Sequence, residues 1–359
     1  MTRRVATEAA RLTALFEGQG ARHVDADILL SAETLLDLYG EDIRGRAYLT
    51  TDPFGGEMVL RPDFTVPVVQ MHMNSEADPA RYTYAGRVFR KQETDPSRPR
   101  EAVQVGFEVF DGSDPAGADA TVFAAVADAL AGLPVRAATG DIGILMAAVA
   151  GLKTSDTRKA ALMRHLWRPR KFRALLDRFG GRVPPAPSRV ALLAQADPLA
   201  DAAPSIGLRS RGEVQVRIDA LRADAATAPI SGDEMALIDA ILSLDDSCPH
   251  VLSSLRDIAV DLPAIDGAVR AFAARLDALS GKGVNVDALA FEGSYGRTSL
   301  EYYDGFVFGF YAAADYLMPP VATGGRYDAL TARLGAGRAV PAVGGVVRPD
   351  LVVALRGDV

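Results

Sequence analysis

Residues Tyr82 to Asp111, YTYAGRVFRKQETDPSRPREAVQVGFEVFD, alternate their side chains with a period of two on either side of a charged loop. That period commits both halves to strands, and the loop joins them as a hairpin. In the first strand Tyr84, Gly86, Val88 and Arg90 share one face, and in the second Gln104, Gly106 and Glu108 do. The loop carries Pro96, Arg98, Pro99 and Arg100. The hairpin therefore offers a guanidinium, an amide and a carboxylate to a common space, and a glycine between two polar groups leaves room for a ligand. Two readings stay open here: a pocket for a small zwitterion with a cationic end, or a polar face that is merely wet.

Arg90, the pair Arg100-Glu101 and the pattern Gln104-x-Gly106-x-Glu108 resemble motif 2 of the class II aminoacyl-tRNA synthetases, in its histidyl-tRNA synthetase form. Three further segments resemble that family in the same order. They are LRPDFT (Leu60 to Thr65), LEYYDGFVF (Leu300 to Phe308) and GGRYDAL (Gly324 to Leu330), the last followed by PAVGG (Pro341 to Gly345). The resemblance implies an α+β fold, with a class II synthetase-like antiparallel sheet flanked by helices. It further implies that Asp63, Thr65 and Gln104 hold an α-ammonium, and that Glu108, Tyr303 and Tyr327 enclose an imidazole. A buried imidazole needs a partner for each ring nitrogen, so that residue set is chemically apt. Asp63 stands where the family commonly has glutamate, which makes the ammonium contact shorter or water-mediated.

The activation chemistry is thinner. Joining a carboxylate to the α-phosphate of ATP builds charge that fixed cations must stabilise. The resemblance places Arg90 at the first of three arginines. Counting without gaps from PAVGG puts Leu351 at the second, and counting back from Tyr302-Tyr303 puts Thr298 at the third. Arg297 is one residue earlier, which in a strand points to the opposite face, although a one-residue gap would bring it to the third position. Each lost donor costs roughly 3 kcal/mol, so two losses suppress activation by roughly 10⁴-fold. FRKQ (Phe89 to Gln92) replaces the family's usual FRHE, and the chain given runs to Val359, so no anticodon-binding domain is expected after it.

A chain that keeps the amino-acid pocket without activation resembles the regulatory subunits of ATP phosphoribosyltransferase. That resemblance implies a non-catalytic subunit, required for the first step of histidine biosynthesis, that partners a short-form ATP phosphoribosyltransferase catalytic subunit and carries histidine feedback. Histidine would be the effector, bound by Asp63, Thr65, Gln104, Glu108, Tyr303 and Tyr327, with Arg90 either on its carboxylate or paired with a neighbouring carboxylate. A homodimer through the class II core is implied, and no tRNA. The alternatives are an active histidyl-tRNA synthetase-like adenylating enzyme, with Arg90 the clear phosphate ligand, and an amino-acid-binding scaffold for another partner.

Composition bounds these readings. One cysteine, Cys248, excludes an internal disulfide and a multi-cysteine zinc site, and the four histidines have no metal-ligand spacing. No cofactor and no metal are expected. No segment reaches about 18 apolar residues, so a soluble, cytoplasmic protein without membrane contact is expected. The net charge of −7 disfavours a large phosphate-binding footprint, yet Lys153 to Arg182 holds ten Lys or Arg and two Asp. That block reads as the solvated face of amphipathic helices. Docking to an acidic partner or an anion is the alternative.

Along the chain, Val5, Ala9, Leu12 and Phe16 mark an opening amphipathic helix ended by Gly18 and Gly20. Ser31 reads as an N-cap, Leu30 and Leu35 as a staple and Gly40 as a C-terminal stop of a second helix. RAYLT and EMVLR read as strands, 65–73 as a helix with Pro67 in its first turn, and 118–130 as another helix. Asp304-Gly305 predicts a two-residue hairpin with strands on both sides. Residues 1–150 and 284–359 are expected to form the class II core, with 151–283 a helical insertion.

Overall fold

The computed structural model describes residues 2–39, 45, 47–75, 77, 79–92, 99–200, 202–203, 206–297, 302–315 and 317–357. Gly40, Pro96, Arg98, Thr298 and Leu300 lie outside the described residues. The chain opens with α1 (Arg3–Gly18), whose N-terminus is capped by the Thr2 hydroxyl accepting from Val5 N at 3.3 Å. Its buried stripe includes Ala9, Leu12 and Phe16, and Phe16 stacks on Phe107 with centroids 5.2 Å apart. Next come β1 (Arg22–His23) and a small antiparallel sheet of β2 (Leu29–Ser31), β3 (Leu49–Asp52) and β4 (Gly56–Leu60), ordered β2-β4-β3. Ser31 ends β2, and α2 (Ala32–Tyr39) starts directly after it. Leu35 of that helix is buried.

The predicted hairpin forms: β5 (Ala80–Phe89) and β6 (Glu101–Phe110) pair antiparallel, with Tyr84 opposite Gly106 and Gly86 opposite Gln104. It follows α3 (Thr65–Met73) and precedes α4 (Pro115–Ala129). Asp114 caps α4 by accepting from Gly117 N at 2.9 Å, with Pro115 at the first helical position. The remaining core strands are β7 (Val135–Asp141), β9 (Ala290–Glu292), β10 (Phe306–Ala312), β11 (Ala322–Arg326) and β12 (Ala342–Val347). α13 (Asp328–Leu334) and α14 (Pro349–Leu355) complete the C-terminal part.

The nine-stranded sheet runs β1-β5-β6-β12-β11-β10-β7-β9-β8, where β8 is Asp245–Ser247. Among the described residues, only the β1–β5 and β7–β9 pairs are parallel. Alternation sorts β6 cleanly. Val105, Phe107 and Val109 enter the main apolar core with Leu12, Phe16, Val122 and Val126, which leaves Gln104, Gly106 and Glu108 on the opposite face.

Between β7 and β9 the chain is mostly helical: α5 (Ile142–Gly151), α6 (Asp156–Arg164), α7 (Pro169–Phe179), α8 (Pro187–Ala194), α9 (Arg211–Ala226), α10 (Gly232–Leu242), α11 (Cys248–Asp261) and α12 (Asp266–Gly281). This stretch shares the core with the sheet. Phe172, Leu176, Met235, Leu255 and Phe272 join the same apolar cluster as Phe107, and β8 extends the sheet by pairing with β9. The basic block is correspondingly mixed. Arg164, Arg170, Lys171 and Arg178 are exposed, but Arg158 is buried and its Nε donates to Asp224 at 2.7 Å. Its other nitrogens donate to the carbonyls of Ala228 and Asp224, so one of the block's charges ties α6 to α9 from inside.

The Asp304-Gly305 hairpin does not form as expected. Tyr302 and Tyr303 are not in a strand, although β10 begins at Phe306. Asp304 has another role: its carboxylate accepts from Asp328 N at 3.1 Å and Ala329 N at 2.5 Å, pinning the start of α13. Burial pushes its carboxyl up to about 6.

Candidate functional site

Four segments from distant parts of the chain converge on the open face of the sheet. β6 contributes Gln104 and Glu108, the start of α3 contributes Asp63 and Thr65, and the turns before β10 and α13 contribute Tyr303 and Tyr327. Together with Arg90 they line one cavity of ≈ 1320 Å³. Every one of the seven residues expected from the sequence faces it. Its size exceeds the roughly 300–1,000 Å³ usual for small-molecule pockets.

Glu108 is the hub and is 1% exposed. Tyr84 Oη donates to its Oε1 at 2.8 Å, Thr65 Oγ1 to the same oxygen at 3.2 Å, and Tyr327 Oη to Oε2 at 2.6 Å. Burial pushes the Glu108 carboxyl up to about 7, against the pull of these three donors. The close approach needs a glycine opposite. Gly344 on β12 pairs with Glu108, and a Cβ there would stand 1.4 Å from Glu108 Oε2. On β11, a Cβ at Gly325 would meet the Tyr303 ring at 2.7 Å, which explains the Gly324-Gly325 pair beside the pocket. Tyr84 was legible in the sequence as a face residue but not as a donor to Glu108. The cross-strand register is the signal that finds it: Tyr82 stands opposite Glu108, and Tyr84 is two residues further on the same face.

The other polar groups are poised differently. Gln104 is buried, and among the described residues its Oε1 has no hydrogen-bond partner. Asp63 is buried beside it in the same cavity and its Oδ1 accepts from Val66 N at 3.4 Å. Burial raises the Asp63 carboxyl above its ordinary range, and the nearby Arg90 charge opposes that. The Thr65 hydroxyl, with its proton given to Glu108, keeps its lone pairs for another donor. Tyr302 packs edge-on to both Tyr303 and Tyr327, at 4.9 and 6.0 Å.

The cationic end holds more than the sequence foretold. Leu351 does reach the cavity rim, but Arg348, at the corner between β12 and α14, also lines the cavity. Its Nη1 donates to Pro320 O at 2.6 Å, and desolvation, then the neighbouring Arg90, lowers its pKa to about 10. Arg297 does not point away either. It sits in a turn rather than a strand, is buried, and lines the cavity. Its Nε donates to Leu166 O at 2.9 Å, and desolvation lowers its pKa to about 10. Arg90 Nε donates to Pro62 O at 2.8 Å. Each of the three guanidiniums is thus held by a main-chain carbonyl. Ungapped counting fell on Leu351 and did not single out Arg348, which precedes it by three residues at the corner between β12 and α14.

A family model for histidyl-tRNA synthetase matches residues 1–203 and 214–352. The chain is 32% identical to an ATP phosphoribosyltransferase regulatory subunit of Mesorhizobium japonicum, with 99% of each chain covered. It is also 32% identical to one of Agrobacterium fabrum, covering 98% of this chain and 97% of that one. Among solved structures, it matches an ATP phosphoribosyltransferase regulatory subunit/histidyl-tRNA synthetase from Bacillus halodurans with a TM-score of 0.68 at 22% identity, over 98% of this chain and 79% of that one. It matches a histidyl-tRNA synthetase from Nostoc sp. PCC 7120 with a TM-score of 0.64 at 16% identity, over 99% and 72% of the respective chains. These two structures share its fold.

Proposed function

Because the chain belongs to the histidyl-tRNA synthetase family, among its ATP phosphoribosyltransferase regulatory subunits, we propose that its cavity binds histidine as a feedback effector. The single observation that carries this reading is the pairing of unmet needs in one buried place. Gln104 Oε1 lacks a partner among the described residues, while Glu108 takes three hydroxyl donors and has room for about four. An α-ammonium satisfies Gln104, Thr65 and Asp63. An imidazole N–H supplies the fourth donor to Glu108, with Tyr303 and Tyr327 against the ring. The histidine carboxylate then faces the arginine end of the cavity, where the Arg90 charge already acts on Asp63.

In this reading the chain is non-catalytic. It assembles with a short-form catalytic ATP phosphoribosyltransferase in the cytoplasm, supports that subunit's activity, and shifts it to an inactive arrangement when histidine is bound. Feedback of this kind needs a coupling of typically 1–3 kcal/mol between pocket and catalyst. Calorimetric titration with histidine, of the chain alone and with its partner, tests it. A saturable heat is expected in both, weaker or tighter according to the state the partner favours. No heat in either sinks the reading.

A second reading, an adenylating enzyme, draws on Arg90, Arg297 and Arg348 all lining one cavity. Histidine-dependent ATP–pyrophosphate exchange separates the two. The regulatory reading expects none above buffer, and exchange at a synthetase-like rate would replace it.

A further inference from the structure

Trp167 is the chain's one tryptophan, and it lies in the turn between α6 and α7. Its indole Nε1 donates to the main-chain oxygen of Tyr303 at 3.3 Å. The residue before it, Leu166, is fully buried and accepts from Arg297 Nε at 2.9 Å. Arg297 also lies over the Phe172 ring, 4.8 Å from its centroid, on the first turns of α7. Two adjacent residues of one turn thus grip two walls of the cavity, the tyrosine at the ring end and an arginine at the cationic end. Trp167 is half-buried and packs against both apolar clusters, the main core and the smaller one that contains Tyr303 and Tyr327.

Tyr303 needs such a grip. It stands outside any strand, so the sheet ladder does not hold its main chain. A side chain that must sit within about 0.5 Å of a productive position is held by the packing and hydrogen bonds of the groups behind it. The indole N–H is the donor the helical stretch supplies for this, and a tryptophan combines that donor with a large packed surface. We infer that Trp167 is a positioning residue for the effector pocket, so that the helical stretch, through the turn after α6, sets the affinity of the cavity for its ligand. This rests on the histidine reading above.

The test uses the full chain. With one tryptophan, selectively excited indole emission reports this turn alone. Histidine is titrated while emission is followed, and the same titration is run by calorimetry. The expected result is a saturable change in emission whose midpoint coincides with the calorimetric Kd. Trp167→Phe keeps an aromatic ring and removes the donor. It is expected to bind histidine about 2- to 12-fold more weakly, the span for one net hydrogen bond. Emission that stays silent across the calorimetric transition overturns the inference, as does an unchanged Kd in a folded Trp167→Phe chain. If that variant does not fold, the emission of the unaltered chain decides. Absence of any histidine heat in the unaltered chain is a different failure, since it removes the histidine reading itself.

Discussion

Burial holds the Glu108 carboxyl near 7 instead of its ordinary 4.5, and this one residue sets stability and ligand binding against each other. In the unfolded chain Glu108 loses its proton near 4.5; in the folded chain it keeps it to about 7. The folded state therefore binds more protons between those values, and stability falls as pH rises through that window. The whole difference amounts to about 3 kcal/mol, present below pH 4.5 and gone above pH 7. Glu108→Gln removes the charge and keeps the shape. We expect the ligand-free variant to be more stable than the parent at pH 8, by about 1–3 kcal/mol, with the gap closing toward pH 5. Urea unfolding at the two pH values measures it; a variant less stable at pH 8 contradicts the account. The same change should weaken histidine binding by about 1.5–3 kcal/mol, or roughly 10- to 150-fold, read by calorimetry. A pocket that is costly when empty and satisfied when filled is the usual compromise of functional sites. At this scale the sequence was readable wherever period two or a short motif fixed the spacing, as for Gln104, Glu108 and Asp63. It was not readable for Arg348 and Arg297, whose directions depend on a corner and a turn.

The elements that carry the pocket were legible for a related reason. The hairpin β5–β6 and α3 each have a local signal, alternation or a proline in the first turn; α4 was read from its apolar face over 118–130, and the structure starts it three residues earlier, at Pro115 behind the Asp114 cap. Asp304-Gly305 misled because an identical dipeptide serves as a hairpin turn or as an acceptor for the N-terminus of another helix, and only the position of α13 decides. The glycines of β12 are likewise explained only by what crosses them. Gly344 lies opposite Glu108 in the register, and the hypothetical Cβ would overlap Oε2 at 1.4 Å. Gly344→Ala should force Glu108 out of reach of Tyr327. We expect a loss of about 1–3 kcal/mol in stability, as for other overpacked cores, together with a loss of histidine binding larger than Glu108→Gln produces. Thermal unfolding and calorimetry on the same preparation check both. Wild-type affinity in this variant would show that the imidazole end lies elsewhere in the cavity.

At the scale of the whole molecule, one set of charges binds parts the sequence kept apart, and a second set, of apolar residues, is left exposed. Arg275 on α12 donates to Asp119 at 3.3 Å and Asp141 at 2.5 Å, and Arg326, next to Tyr327, donates to the other oxygen of Asp119 at 2.7 Å. Arg275 and Asp119 are 156 residues apart, so no local pattern announces the pair. The network clamps the helical stretch to the strand that leads into the pocket, which is the mechanical basis for expecting the two to move together. The second set faces outward. Phe54, in the turn between β3 and β4, is 100% exposed, and Ile28 and Leu29 at the edge of β2 are 49% and 46% exposed. They belong to the small sheet that runs directly into α2. Leu29 pairs with Leu60 at one end of β4 and Phe54 lies in the turn at its other end, so the three are spread along the small sheet, and we propose that the homodimer implied for a class II core uses the tip that carries Phe54. An aromatic hot spot that a partner covers is worth about 2 kcal/mol or more. Phe54→Ser should therefore weaken a homodimer by roughly 30-fold while leaving the monomer's unfolding midpoint and its histidine pocket unchanged. Sedimentation equilibrium over a dilution series gives the dimer constant. If parent and variant dissociate alike, the small sheet is not the dimer face. If both stay monomeric at every concentration, the class II pairing does not extend to this chain.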